Sequence, residues 1–348
     1  MANSNFYNQI DFNINYDSTN YIDRISNTPN LFNQGINTNS VNLDSINTIN
    51  SIYFMGMGGS GIGGDVFIDL VKNQLKFPTQ SIKTCEIPNS INEKSLVFVS
   101  SYSGNTDETI KMFNSSLNQN AIIIIISQGG MLTNIAKEKN IPLIKIPNTV
   151  EPRSSIMFII GALISFFSKA NLINISKKEI NDCFNMTKSL VAGLKITIPT
   201  SQNLAKNIAS NINNKLPIII SADYLSSTAN RWKTQLNENS DIIALTDNLP
   251  EMFHNSIEGY DSSVLKQANP YFLLLTSNMY NEYNTKKFNQ LKDLLKKHLI
   301  PYREIKSVGN SKLSQLFSLL ILGDYISYYL AIGNKIDPNN TQIITDSK

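Results

Sequence analysis

Histidine and cysteine are scarce in this chain. Among 348 residues there are two of each: His254 and His298, Cys85 and Cys183. Two imidazoles cannot build a three-histidine metal centre. Two distant cysteines outside any CxxC spacing encode neither a zinc ribbon nor a disulfide framework, and they point to a reducing, cytoplasmic setting. Charge is sparse as well, at 16 % of residues, with 30 Lys+Arg against 27 Asp+Glu and a net +3. Without a basic run there is no electrostatic footing for nucleic acid or for an anionic membrane surface. The opening residues MANSNFYNQIDFNINYD lack the basic and apolar regions of a secretory signal. The longest apolar stretch, 156–167, is about a dozen residues, short of the ~20 that span a membrane, so it reads as a buried core helix.

What is present is an alternating α/β rhythm, over a length that predicts two domains. Strand-like runs fall at 51–57, 81–87, 95–101, 121–127 and 142–146, with helix-length segments between most of them, one running from the glycine turn through Leu75. Five consecutive isoleucines at 122–126 form a strand apolar on both faces, as a helix-covered parallel sheet requires. The rhythm returns at 216–221, 241–246, 271–276 and 302–308, with helical patterns at 226–237, 284–298 and 312–332. The expected fold is therefore α/β, two doubly wound parallel-sheet domains related by internal duplication. Their boundaries read as an Asn-rich arm at 1–45, a first domain at 46–175, a helical connector at 176–210, a second domain at 211–335 and a tail at 336–348.

Two loops carry chemistry. Gly56, Gly58 and Gly61 satisfy G-x-G-x-x-G between a strand and a helix, and Glu86 stands where a ribose-binding acid would lie. That pattern alone admits a dinucleotide site or a purely structural turn. The next strand ends in Ser100-Ser101-Tyr102-Ser103-Gly104-Asn105-Thr106, where the hydroxyls of Ser101, Ser103 and Thr106, loop amides and a helix N-terminus converge on a volume suited to a phosphate monoester. The plainer alternative is an N-cap at Thr106.

GMGGSGIGGD (56–65) with SYSGNTDET (101–109) resembles the sugar isomerase (SIS) fold. EPRSS (151–155), QLNENS (235–240), EMFHNSIEGY (251–260), GDYISYYLA (323–331) and Asp337-Pro338 narrow the resemblance to the bifunctional phosphoglucose/phosphomannose isomerases. It implies interconversion of glucose 6-phosphate, or mannose 6-phosphate, with fructose 6-phosphate through a cis-enediol, without metal or other cofactor. It also implies a sugar-phosphate substrate held by Gly58, Gly59, Ser60, Ser101, Ser103 and Thr106, and a homodimer.

The implied roles match the chemistry. A carboxylate can take the C2 proton and return it at C1, and the matching residue is Glu238. Ring opening needs a group that both donates and accepts near neutral pH, which His254 supplies, by resemblance from across the dimer interface. Arg153 offers a permanent cation to the enediolate. Thr341 matches the threonine linked to the mannose epimer, and Lys348, the last residue, matches a substrate-contacting lysine. Each has a blander reading: a solvated helix-end Glu238, a core His254, an interface Arg153, a frayed Lys348. His298 reads as a favourable charge at a helix C-terminus. A non-catalytic sugar-phosphate sensor and an NAD-linked oxidoreductase are the competing functions.

Overall fold

The computed structural model describes residues 14–38, 46, 48–147 and 152–347, together with Phe6 and Ile10; Lys348 lies outside the described residues. The chain divides into two units, one of residues 27–177 and one of 1–26 with 178–348.

In the 27–177 unit, β1 (Ser51–Met55), β2 (Thr79–Ile82), β3 (Ser95–Ser101), β4 (Ile122–Ser127) and β5 (Leu143–Lys145) form a parallel sheet of order β2-β1-β3-β4-β5. Its central strands lack polar alternation because both faces are covered. One face packs Tyr53, Met55, Val97, Val99, Ile123 and Ile125 against Met112, Phe113 and Leu132 of the flanking helices. On the other, Phe54 stacks on Phe98 at 5.0 Å, and Phe67, Phe166 and Phe167 close around them. Phe166 and Phe167 belong to helix Ile156–Lys169, which is buried from Ile156 to Phe167, as the sequence predicts.

The other unit repeats the plan with β6 (Leu216–Ala222), β7 (Leu245–Leu249), β8 (Pro270–Thr276) and β9 (Tyr302–Lys306), all parallel, in the order β7-β6-β8-β9. In both sheets the first strand lies between the second and the third, and the third is followed by the fourth. This common order is what a duplicated unit retains; the second sheet stops one strand short.

Several boundaries differ from the sequence reading. β2 starts at Thr79 and ends at Ile82, because residues 83–86 are exposed and leave the sheet. β7 begins at Leu245 instead of 241. Asp241 adopts a left-handed conformation (φ 53°) and the Asn237 side chain accepts from the Ala244 amide, so the turn after the preceding helix is longer than hydropathy indicates. Both are edge strands, half exposed and weakly patterned. The 1–45 arm is divided, since helix Tyr21–Ser26 belongs with the C-terminal unit and helix Thr28–Ile36 with the other. The 176–210 connector is also part of the C-terminal unit: helix Leu204–Ile212 packs on helix Lys312–Gly333, and the Tyr329 hydroxyl donates to the Leu194 carbonyl at 2.5 Å. Helix Lys312–Gly333 corrects the expectation that no segment is long enough to span a membrane. Its 22 residues pass by length and composition, but its apolar window is wholly buried, as in a core helix.

That core helix carries a buried ion pair, Asp324 accepting from Arg231 at 3.2 Å, with side chains only 4 % and 2 % exposed. Removing one partner leaves a buried charge without its counter-ion. Asp324→Leu is expected to destabilise the protein by about 3 kcal/mol or more, read as lowered urea and thermal midpoints; unchanged midpoints would show the pair to be dispensable.

Candidate active site

In the 27–177 unit, the loops after β1 and β3 are bound together. The Ser60 hydroxyl accepts from the Tyr102 amide at 3.0 Å, joining the glycine turn to the serine loop. The Ser101 hydroxyl accepts from the Gly104 amide at 3.1 Å and pairs with the Thr106 hydroxyl at 3.0 Å, while Ser103 accepts from the Asn105 amide at 3.2 Å. Thr106 is in the N-cap position of helix Asp107–Asn118, yet its side chain caps no amide. The N-cap alternative therefore fails: the hydroxyl is turned into the serine loop, and no side chain satisfies the amides of the first turn. Helix Gly58–Val71 likewise starts without a side-chain cap. Two uncapped helix starts beside these hydroxyls make a cradle whose chemistry suits a doubly charged anion.

Glycine is required at two places in this cradle. Gly104 has φ +71°, and a Cβ there would lie 1.9 Å from the Gly129 carbonyl oxygen of the adjacent loop. At Gly59 a Cβ would come within 3.1 Å of the Arg153 backbone, so this glycine lets the segment bearing Arg153 lie against the turn. Arg153 sits in the short helix Pro152–Ser154, 8 % exposed. Gly58 also has positive φ. Ser60, Ser101, Ser103, Thr106, Gly58, Gly59 and Arg153 are thus assembled within one unit. Gly104→Ala is expected to displace the loop and lower kcat/KM about a hundredfold, the cost of ~1 Å of misplacement at a reacting site. Wild-type kcat/KM in a folded variant would remove the cradle from the site.

Sequence reading missed the brace on this cradle: the Asn105 carboxamide oxygen accepts from the Met131 amide at 2.9 Å, tying the serine loop to the turn after β4. The dinucleotide alternative loses its acidic residue, because Glu86 stands exposed four positions beyond the end of β2.

In the C-terminal unit, Glu238 occupies the last turn of helix Ser226–Ser240 and is partly exposed. Its neighbours are fixed: the Asn239 amide donates to Ser327 at 2.9 Å and to Gln235 at 3.3 Å, and the Ser240 hydroxyl donates to the Ser327 carbonyl at 2.7 Å. Tyr21 meets both Gln235 and Asn239 at 3.5 Å. Just before it, Ser18 and Thr19 bond Asp337 and Asn339, which leads the tail bearing Thr341 to this end of the helix. The segment around 18–21 is thus a clip between the Glu238 helix and the tail. Its only sequence signal was the polar pair Gln235 and Asn239 at helical spacing. Thr341 is partly exposed at the start of helix Gln342–Asp346 and makes no side-chain cap.

His254 lies in the short helix Glu251–His254 after β7 and is exposed, so it is not a core histidine. The segment is moored by Met252, which is buried, and by Tyr260, whose hydroxyl donates to Asp247 at 2.8 Å. Burial, reinforced by the Asp247 carboxylate, pushes the Tyr260 phenol above its ordinary range and keeps it a donor. His298 ends helix Glu282–Lys297, as its sequence position implies, and faces Asp261 at 3.4 Å.

Topology separates Glu238 from His254. Helix Ser226–Ser240 begins at the carboxyl end of β6 and returns antiparallel to the strands, so Glu238 lies toward the amino end of the sheet. His254 follows the carboxyl end of β7. Fifteen helical residues span about 22 Å, so one chain holds these two groups at opposite ends of its sheet.

Sequence comparison decides the family. The chain is 33 % identical over 291 residues to the bifunctional phosphoglucose/phosphomannose isomerase of Caldicellulosiruptor bescii, covering 83 % of this chain and 86 % of that protein. The chain belongs to the bifunctional phosphoglucose/phosphomannose isomerase family. Residues 201–348 also match the bacterial phospho-glucose isomerase C-terminal SIS domain. The C-terminal domain of glucosamine-fructose-6-phosphate aminotransferase from Francisella tularensis shares the fold, with a TM-score of 0.67 at 16 % identity over 91 % of this chain and 96 % of that one. A further relative, the D-glucosamine-6-phosphate 4-epimerase of Sulfolobus acidocaldarius, is 30 % identical over 66 % of this chain and 71 % of that protein.

Proposed function

We propose that the protein interconverts glucose 6-phosphate and mannose 6-phosphate with fructose 6-phosphate. The observation that carries the reading is the uncapped serine loop, whose hydroxyls and helix-start amides suit a terminal phosphate, in a chain of this isomerase family. His254 donates to the ring oxygen and accepts from the anomeric hydroxyl, giving the open aldose. Glu238 takes the C2 proton; the electron pair forms the C1–C2 double bond of a cis-enediolate, whose charge Arg153 offsets. The O2 proton passes to O1; the C2–O2 double bond then forms as the C1–C2 pair takes the proton back from Glu238 at C1, and the ring closes. Thr341 and Lys348 contact the substrate, Thr341 on the side that distinguishes the epimers. The acting form is a cytoplasmic homodimer in which the partner copy supplies His254. The roughly 22 Å of helix between the ends of the sheet supports that reading, as does the exposure of His254. A coupled assay with each aldose phosphate tests the function: turnover of both is expected, and turnover of neither would refute it.

A further inference from the structure

In both sheets the third strand follows the first in space, and in the first sheet the loop after that third strand is the hydroxyl cradle. The equivalent loop of the second sheet, after β8, begins Thr276-Ser277-Asn278 and borders a cavity of about 320 Å³ between the carboxyl ends of β8 and β9 and helix Glu282–Lys297. The helix start cannot serve an anion here, because the Asn281 side chain caps it by accepting from the Asn284 amide at 2.7 Å. Cations stand in its place: Lys292 and Lys306 line the cavity. One carboxylate lines the cavity too: Glu304, 3.5 Å from Lys292 and accepting from the Thr276 hydroxyl at 3.2 Å. Asn278 and Asn289 offer amides, and Phe288, stacked on Tyr280 at 5.5 Å, lines an apolar side.

We propose that this cavity is a second sugar-phosphate site, distinct from the serine loop and from the residues assigned to isomerisation. Two ammonium groups suit a phosphate. The carboxylate and the two carboxamides suit sugar hydroxyls, and an aromatic side suits the apolar face of a sugar ring. The volume lies at the lower end of those that hold small ligands, ~300–1,000 Å³. The site is built from residues other than those around His254, although Lys287 of the cavity-lining helix lies over the Phe253 ring at 4.8 Å. In the order β7-β6-β8-β9 the cavity lies at the β9 edge, and His254 follows β7 at the opposite edge. One rigidly held residue shapes the loop beside it: the Gln315 carboxamide oxygen accepts from Ser277 at 2.6 Å, Ser307 at 2.7 Å and Tyr224 at 2.9 Å, joining the loops after β6, β8 and β9. Ser277 and Ser307 also line the cavity.

The test is equilibrium binding of sorbitol 6-phosphate, which has no carbonyl to isomerise, to the full-length protein and to Lys292→Met/Lys306→Met. The double variant is expected to show one binding event fewer per chain than the wild type, or that event weakened about tenfold or more, with isomerase kcat retained. Asn289→Asp, which brings a negative charge to the cavity, is expected to weaken the same event without touching either lysine. Equal numbers and affinities in all three proteins would overturn the site, as would sorbitol reproducing the event without the phosphate. The readout is a difference in binding, so failure of the isomerase reading would appear separately, as absent turnover with this event intact.

Discussion

Glu238→Gln is expected to reduce kcat for both aldose phosphates by about 10²–10⁴-fold, the span over which a positioned acid or base contributes, with KM little changed. The substitution keeps shape and hydrogen-bonding capacity but removes the proposed base, and the serine loop and Arg153, proposed to hold the phosphate and offset the charge, belong to another segment. Asn239 and Ser240, which hold this turn to helix Lys312–Gly333, are untouched, so the thermal midpoint should not move. Exchange of the C1 and C2 hydrogens with deuterated water should fall in step with turnover. A variant with wild-type exchange would remove Glu238 as the base; one with a raised KM and an unchanged kcat would make it a binding residue.

His254→Ala is expected to lower turnover of the cyclic sugars by a comparable factor, about 10²-fold or more, since spontaneous ring opening then limits the rate. Its larger consequence appears on mixing. In the proposed homodimer, neither His254→Ala nor Glu238→Gln alone leaves an intact site. If the imidazole comes from the partner copy, a mixed dimer has one site with both groups and one with neither. Random reassociation of equal amounts makes half the dimers mixed, so activity should recover to about a quarter of wild type, as a two-fold symmetric site requires. A mixture as inactive as its components would place both groups in the same chain, against the separation across the sheet.

Much of the fold was legible because both sheets have buried central strands. The five isoleucines of β4 read as a strand of a parallel sheet, since no polar face interrupts them. The edge strands β2 and β7 were displaced by a few residues: half exposed, they carry little hydropathy signal, and local bonds such as Asn237 to the Ala244 amide decide where they begin. In the site, the cradle hydroxyls were legible as a cluster because they lie within six residues. Their direction was not: Ser or Thr before a helix is ordinarily a cap, and only the pairing of Thr106 with Ser101 shows that it is not one here. The clip of residues 18–21 between the Glu238 helix and the tail was illegible, since its partners lie over 200 residues away in the chain.

The sequence by itself determined the order of strands and helices, the hydroxyl loop and the family motifs, because apolar periodicity and short-range spacing are local properties. Only the tertiary structure decided that His254 is exposed and not a core histidine, and that His298 faces Asp261 at 3.4 Å. It alone set Glu238 and His254 at opposite ends of one sheet. The reason is geometric: a crossover helix reverses the direction of the chain, so two residues sixteen positions apart can end far from each other, and no local pattern records that reversal.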